Sequence, residues 1–285
     1  MVHTGRLSFS HHSLEKGIDS AIVFYDLSAA FDTLDHEDIL NKMKIYGFTE
    51  GSVAWYRSYL SNRYQYVMVG GSQSCHSEVC KGCPQGSLSG TQLFSLVFGD
   101  IVIVQLSNGV FMIIYADDLT VKFKLVCNVK VDELLINKQM AAIQEWMNAN
   151  KLVLNSDKTE LLVVSNRRHS IYKELKLTLN GIVVKQKMAV RMFGLWITHN
   201  LHQDYYIHQM KNNLISFLNC RLKVLHQLRS KCGGKQFKLL ATGLITSKVV
   251  FGISCGQTTE VLRDMIRMVM NKMVRCISLQ STKKG

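Results

Sequence analysis

Apolar residues in the first 200 positions fall into short β-prone runs broken by polar turns, and beyond that point they recur at helical spacing. The pattern predicts a mixed α/β body followed by a helical section, with the boundary near residue 200 and no internal repeat or low-complexity linker. Residues 21–26, Ala-Ile-Val-Phe-Tyr-Asp, read as a buried strand ending in an acid. Asp35 can cap a helix over 39–46, and a second amphipathic helix covers 53–60. Residues 64–69 alternate as a strand that turns at Gly70-Gly71. Residues 87–106 read as a helix apolar on most sides. The runs 110–114 and 119–121 predict the arms of a hairpin whose tip is Tyr115-Ala116-Asp117-Asp118.

The second half continues with a helix over 131–150, its apolar face expected at Leu134, Leu135, Met140, Ile143 and Met147. Short strands are expected at 152–154, 161–164, 175–179 and 192–197, with Asn180-Gly181 as a hairpin turn. From Tyr205 the residues Ile207, Met210, Leu214, Phe217, Leu218, Leu225 and Leu228 form a helical stripe. Two more helices follow near 235–252 and 260–277, where Met265, Met268, Met270 and Met273 read as core filler.

Composition narrows the class. A chain of 285 residues with 47% apolar content can bury a sizeable core. The apolar segments 93–106 and 239–255 are interrupted by Asp100 and Lys248 and fall short of a membrane span. The N-terminus lacks the apolar stretch of a signal peptide, and eight cysteines without regular spacing fit reduced thiols. The expectation is an intracellular protein, nuclear or cytoplasmic. Cys75, His76, Cys80 and Cys83 loosely resemble a zinc site, yet a second Cys-x-x-Cys limb is missing, so ordinary half-buried thiols are expected. Charge divides unevenly: residues 1–127 carry 9 Lys+Arg against 12 Asp+Glu, net −3, and residues 128–285 carry 25 against 9, net +16. A polyanion is the natural partner of such a second half, because neutralised phosphates release counterions.

The acids supply the candidate chemistry. Neighbouring carboxylates at a hairpin tip repel one another, which makes Asp117 and Asp118 costly to build unless a cation neutralises them. Asp26, at the end of another strand, would join them if the two strands lie side by side. Three such carboxylates suffice to hold two divalent ions about 3.5–4 Å apart, the arrangement that stabilises the entering and leaving oxygens when a 3′ oxygen attacks an α-phosphate. Mg²⁺ suits the set because it binds through few carboxylates and completes its shell with water and phosphate.

At these residues the chain resembles a known family. Asp26-Leu-Ser-Ala-Ala-Phe31-Asp, Pro84-Gln85-Gly86-Ser87, Tyr115-Ala-Asp-Asp118, Asn155-Ser-Asp-Lys158-Thr159 and Phe193-Gly194-Leu195 are similar, in this order, to the motifs of reverse transcriptases, most of all those of non-LTR, LINE-like retrotransposons. A C-terminal Val269-Met-Asn271-Lys-Met-Val-Arg275 is similar to the thumb of that group. The resemblance implies an α+β fold: a polymerase palm, an antiparallel sheet backed by helices, within residues 1–200 together with partial fingers, and a helical basic thumb over 201–285. It implies that Asp26 and Asp117 ligate two Mg²⁺ ions, with Mn²⁺ able to substitute, and that Asp118 supports them. Phe31 would lie under the incoming sugar and exclude a 2′-hydroxyl. Gln85 and Gly86 would approach the nucleotide, Lys158 would donate a proton to the leaving pyrophosphate or attract it by charge, and Phe193 with Gly194 would grip the primer end. The implied partners are an RNA template, a DNA primer and deoxynucleoside triphosphates, with no membrane.

The chain also departs from the family's pattern. Thr91 and Ser156 stand where prolines are usual, and Gly99 stands before Asp100 where an asparagine is usual. Only 25 residues precede Asp26, so the expectation is a domain truncated ahead of the basic finger segment and of an upstream endonuclease. Two functions of different class stay open: an RNA-directed DNA polymerase, and a catalytically inactive remnant that binds nucleic acid. An RNA-dependent RNA polymerase is a third, against which Phe31 argues.

Overall fold

The strand expected at 21–26 forms at Ser20–Tyr25 (β1) and becomes the middle of a five-stranded sheet, because nearly every one of its side chains is buried. The protein is seen in a computed structural model that describes residues 17–84, 86–165, 171–172, 175–192, 195–201 and 231–246, with scattered positions among 220–228 and 264–275. Gly17–Lys187 form one compact unit, and Met188–Gly285 belong to a second.

Within the first unit the helices are α1 (His36–Ile45), α2 (Glu50–Leu60), α3 (Leu88–Phe98) and α4 (Val129–Ala149). The strands after β1 are β2 (Tyr64–Gln65), β3 (Met68–Val69), β4 (Ser72–Gln73), β5 (Ser77–Glu78), β6 (Val110–Tyr115), β7 (Asp118–Lys124), β8 (Glu160–Val164), β9 (Thr178–Leu179), β10 (Ile182–Val183) and β11 (Lys185–Lys187). The main sheet has the order β11-β8-β1-β7-β6. It is mixed and not wholly antiparallel, since β11 runs parallel to β8. The physical reason is the connection. About twenty residues return the chain to the starting end of β8, long enough for a crossover that no tight hairpin could make.

Helix starts follow side-chain caps: Asp35 accepts from the amides of Glu37 and Asp38, Thr49 from Ser52, and Ser87 from Gly90. One continuous core joins Ala21, Val23 and Tyr25 of β1 and Leu119, Val121 and Phe123 of β7 to Ile39 and Met43 of α1, Phe94 and Phe98 of α3, and Met140 and Ile143 of α4. Each fully buried side chain of this size contributes about 1.5–3 kcal/mol.

Several expectations shift at the edges of elements. The helix expected over 87–106 ends at Phe98 and tightens into a 3₁₀ turn, Gly99–Ile103, where glycine and β-branched residues weaken the α conformation. Val102 and Ile103 are exposed there. On α4 the buried stripe runs through Ile136, Met140, Ile143, Trp146 and Met147, and Leu134, expected inside, faces solvent. The strand expected at 64–69 divides into β2 and β3 because the hydroxyl of Ser74 takes over the amide of Val67 (2.9 Å). The segment 152–154 makes only a bridge, Leu27 to Leu154. Cys75 and Cys80 are exposed, while Cys83 is buried and its thiol is pushed up to about 11 by desolvation.

In the second unit, β12 (Ala189–Met192) pairs antiparallel with β13 (Leu195–Thr198), so the single strand expected over 192–197 belongs to two paired strands. Helix α5 (Gly234–Ala241) runs into a π turn, Thr242–Thr246. Described positions from Asp264 to Arg275 are helical, and Met268 is exposed rather than core filler. Ile207, Met210, Leu214, Phe217, Leu218, Met265, Met270 and Met273 lie outside the described residues, as do Gln85, Phe193 and Gly194.

Candidate active site

Strand β1 carries its register on β7 as far as Tyr25 opposite Leu119, so that Asp26 follows that pair on one strand and Asp118 precedes it on the other. Tyr115 lies opposite Asp118 on the other side, at the same end of the sheet where β1 finishes beside Asp26. Residues facing each other across an antiparallel pair have Cα atoms roughly 4.5–5.5 Å apart. Two chain segments far apart in sequence therefore bring their acids to one edge, and the ladder itself is what aligns them.

The link between β6 and β7 is only Ala116-Asp117. Ala116 has φ 51° and Asp117 has no such positive angle, the sign pattern of a II′ turn, which favours glycine at its first position. Alanine there holds about 1–2 kcal/mol of backbone strain. Asp117 and Asp118 are exposed at this tip, and Asp26 is half-buried. Among the described residues no three His, Cys, Asp or Glu side chains already close into a metal cage. The arrangement is an open carboxylate edge. Such an edge fits Mg²⁺, an oxygen-seeking ion that takes few protein ligands and fills its octahedron with water and substrate oxygens.

Lys158 reaches the same edge. Beyond Glu160 the β8 ladder breaks and resumes at Leu154, so that residues 155–159 face only Tyr25 and Asp26. Asn155 organises this excursion. Its amide donates to the carbonyl of Asp26 (2.8 Å), its side-chain oxygen accepts from the amide of Lys158 (3.2 Å), and its carbonyl accepts from the amide and hydroxyl of Thr159 (3.0 and 2.8 Å). The Lys158 Nζ ends 3.7 Å from Asp26 Oδ2. The sequence motif alone gives Asn155 no role; an Asn followed by turn-forming polar residues is the signal that points to this one.

The turn after Asp26 delivers Phe31. Ala29 adopts φ 48°, and the amide of Asp32 closes back on its carbonyl (2.8 Å). One face of the Phe31 ring packs on Phe94, with centroids 4.6 Å apart, and Phe94 packs in turn on Phe98. The segment 82–84 is laid beside this turn: Cys83 donates to the Phe31 carbonyl (2.8 Å), Gly82 donates to Leu34 (2.7 Å), and His36 Nε2 bonds the Gly82 carbonyl (2.8 Å). Gly82 was also missed from the sequence. A Cβ there would stand 2.8 Å from the Cα of Asp32, and its φ is +84°. Pro84 then leads through Gly86, exposed with φ 79°, to the Ser87 cap of α3. The structure thus brings Lys158 to Asp26 and, separately, lays Cys83, the residue before Pro84, against Phe31.

Residues 3–222 match the family model "Reverse transcriptase (RNA-dependent DNA polymerase)". The chain is similar to the "RNA-directed DNA polymerase from mobile element jockey" of Drosophila funebris, 26% identical over 281 residues, covering 95% of this chain and 30% of that protein. It is also similar to the "Retrovirus-related Pol polyprotein from type-1 retrotransposable element R1" of Bradysia coprophila, 22% identical over 229 residues, covering 80% of this chain and 22% of that protein. The chain spans under a third of the length of these relatives. Among solved structures, telomerase from Candida tropicalis with a fragment of telomeric RNA aligns with a TM-score of 0.47 at 13% identity, over 98% of this chain and 49% of that one. Among the described residues no helix is long and apolar enough to cross a membrane.

Proposed function

This chain belongs to the reverse transcriptase family, and we propose that its first compact unit carries a palm active site that adds deoxynucleotides to a primer on an RNA template. The observation that supports this reading best is the β1–β7 register, which ends with Tyr25 opposite Leu119, one residue short of Asp26 on one strand and of Asp118 on the other. In this reading Asp26 and Asp117 hold two Mg²⁺ ions and Asp118 supports them. When bound, the ions stabilise the charge on the entering and leaving oxygens. Mn²⁺ offers the same chemistry to the same oxygen donors.

The other residues act around that edge. Phe31, braced by Phe94, keeps its half-exposed face toward the place of the sugar and leaves no room for a 2′-hydroxyl. Gln85 and Gly86 offer an amide and an uncrowded backbone to the nucleotide. Lys158 stands where it can supply a proton or a positive charge to pyrophosphate. Phe193 and Gly194 hold the primer end. Residues 201–285 act as a helical thumb whose basic side chains take the duplex by its phosphates, since a polymerase must accept every sequence.

Primer extension on poly(rA)/oligo(dT) with Mg²⁺ tests the proposal. The chain should extend the primer and Asp117→Asn should not. Equal signals from the two, or none from either, would instead favour a remnant that binds nucleic acid without polymerising.

A further inference from the structure

One peptide group links the turn that carries Phe31 to the segment that enters Pro84. Its two ends are the Gly82 carbonyl and the Cys83 amide, which the planar, trans peptide points in opposite directions. The amide end donates to the Phe31 carbonyl (2.8 Å), and the carbonyl end accepts from His36 Nε2 (2.8 Å). A relay of hydrogen bonds therefore runs from the imidazole, through this peptide, to the backbone of Phe31. Bonds in such a chain polarise and strengthen one another. His36 is the first residue of α1, whose start is fixed by the Asp35 cap, so the head of the relay sits on a firm element. The Phe31 ring is held independently, by Phe94 at 4.6 Å.

The carbonyl end needs an anchor because of the residue that carries it. Gly82 adopts φ +84° and has no Cβ to restrict the rotation of the peptide that follows it. Half a turn of that peptide would swing the Cys83 amide away from Phe31. Beyond Cys83 the chain is fixed again, since the Pro84 carbonyl accepts from the Ser87 hydroxyl (2.8 Å) at the start of α3. We propose that His36 is a positioning residue for sugar selection, which holds the Gly82–Cys83 peptide in the orientation that sets Phe31 against the segment leading to Gly86. The proposal rests on the reading of Phe31 as the group that meets the sugar. His36 acts through the peptide and not on the nucleotide. Its ring must carry the proton on Nε2, because a carbonyl only accepts. A side-chain amide of similar reach can supply the same donor, and an aliphatic side chain cannot.

Single-nucleotide extension by the full chain on poly(rA)/oligo(dT), comparing dUTP with UTP, tests this. The two nucleotides differ only in the 2′-hydroxyl, and the ratio of their kcat/KM values does not depend on how much of a preparation is folded. His36→Leu should lower the preference for dUTP roughly three- to tenfold, the worth of one hydrogen bond, and His36→Gln should restore it. In a Phe31→Ala background His36→Leu should add little, because the two residues act in one chain of contacts. Hydrogen exchange supplies a readout that needs no turnover: the Cys83 amide should exchange faster in His36→Leu and near the wild-type rate in His36→Gln. A preference lowered by Phe31→Ala and untouched by His36→Leu would overturn the role of His36 and leave that of Phe31 standing. A preference moved by neither variant, or no extension by the wild type, would overturn both. Equal behaviour of His36→Leu and His36→Gln would overturn the hydrogen bond as the cause.

Discussion

Gly82→Ala offers a graded test of how the Phe31 turn is held to the segment that leads to Pro84. An added methyl would lie 2.8 Å from Asp32 Cα, 2.9 Å from its carbonyl oxygen and 3.0 Å from its carbonyl carbon, all backbone atoms with little freedom to yield. The backbone angle of +84° adds strain for any L side chain. The conformational part costs about 1–2 kcal/mol and the overpacking about 1–3 kcal/mol, so a loss near 3 kcal/mol is expected. Gly70→Ala is the internal control: its φ is also positive, at +57°, but no atom lies within 4 Å of the new methyl, so only the conformational part applies. Thermal unfolding should place the Gly82→Ala midpoint roughly 4–8 °C below that of Gly70→Ala. Because the strain falls on Asp32, the neighbouring Cys83-to-Phe31 bond should loosen too, and the amides of this segment should exchange faster with solvent. Equal losses from the two variants would refute the claimed close approach.

Other consequences can be measured in the same preparations. Burial pushes the Lys122 ammonium down to about 8, below its unfolded value of 10.5, so between those values the unfolded chain binds more protons and stability rises with pH. Lys122→Met should therefore be more stable than wild type at pH 7 by about 1–3 kcal/mol, and the gap should close as pH rises from 8 toward 10 in urea titrations. Tyr172→Phe removes the hydroxyl that donates to the buried Asp132 (2.5 Å) and leaves that carboxylate to the amides of Val126 and Asn128; a loss of about 1–2 kcal/mol is expected in the same titration. Phe31→Ala should cost about 1–3 kcal/mol through its lost packing on Phe94 and, in single-nucleotide extension, should raise ribonucleotide use relative to deoxynucleotide use. Unchanged sugar preference would remove Phe31 from the nucleotide site.

What the sequence could reveal was set by the range of the interactions involved. The Asp35 cap and the Asn180-Gly181 turn, with φ 52° and 77°, depend on neighbouring residues and were legible. The acidic hairpin tip was legible for the same reason. The parallel pairing of β11, the burial of Ile136 in place of Leu134, and the seat of Gly82 against Asp32 are decided by which segments meet in space, and local pattern carries no record of that. The edge that Asp26 and Asp118 both reach lies between these cases. Each acid could be picked out at a strand end, but only the ladder register brings those two strand ends together.

Asp26 and Asp117 are proposed to share a pair of divalent ions. Crystals of the chain with an RNA template, a chain-terminated primer and a deoxynucleoside triphosphate, soaked in Mn²⁺, would address it directly through anomalous scattering. Two peaks about 3.5–4 Å apart are expected, each within bonding distance of carboxylate oxygens of both residues. Bound triphosphate with the anomalous peaks away from these carboxylates would contradict it.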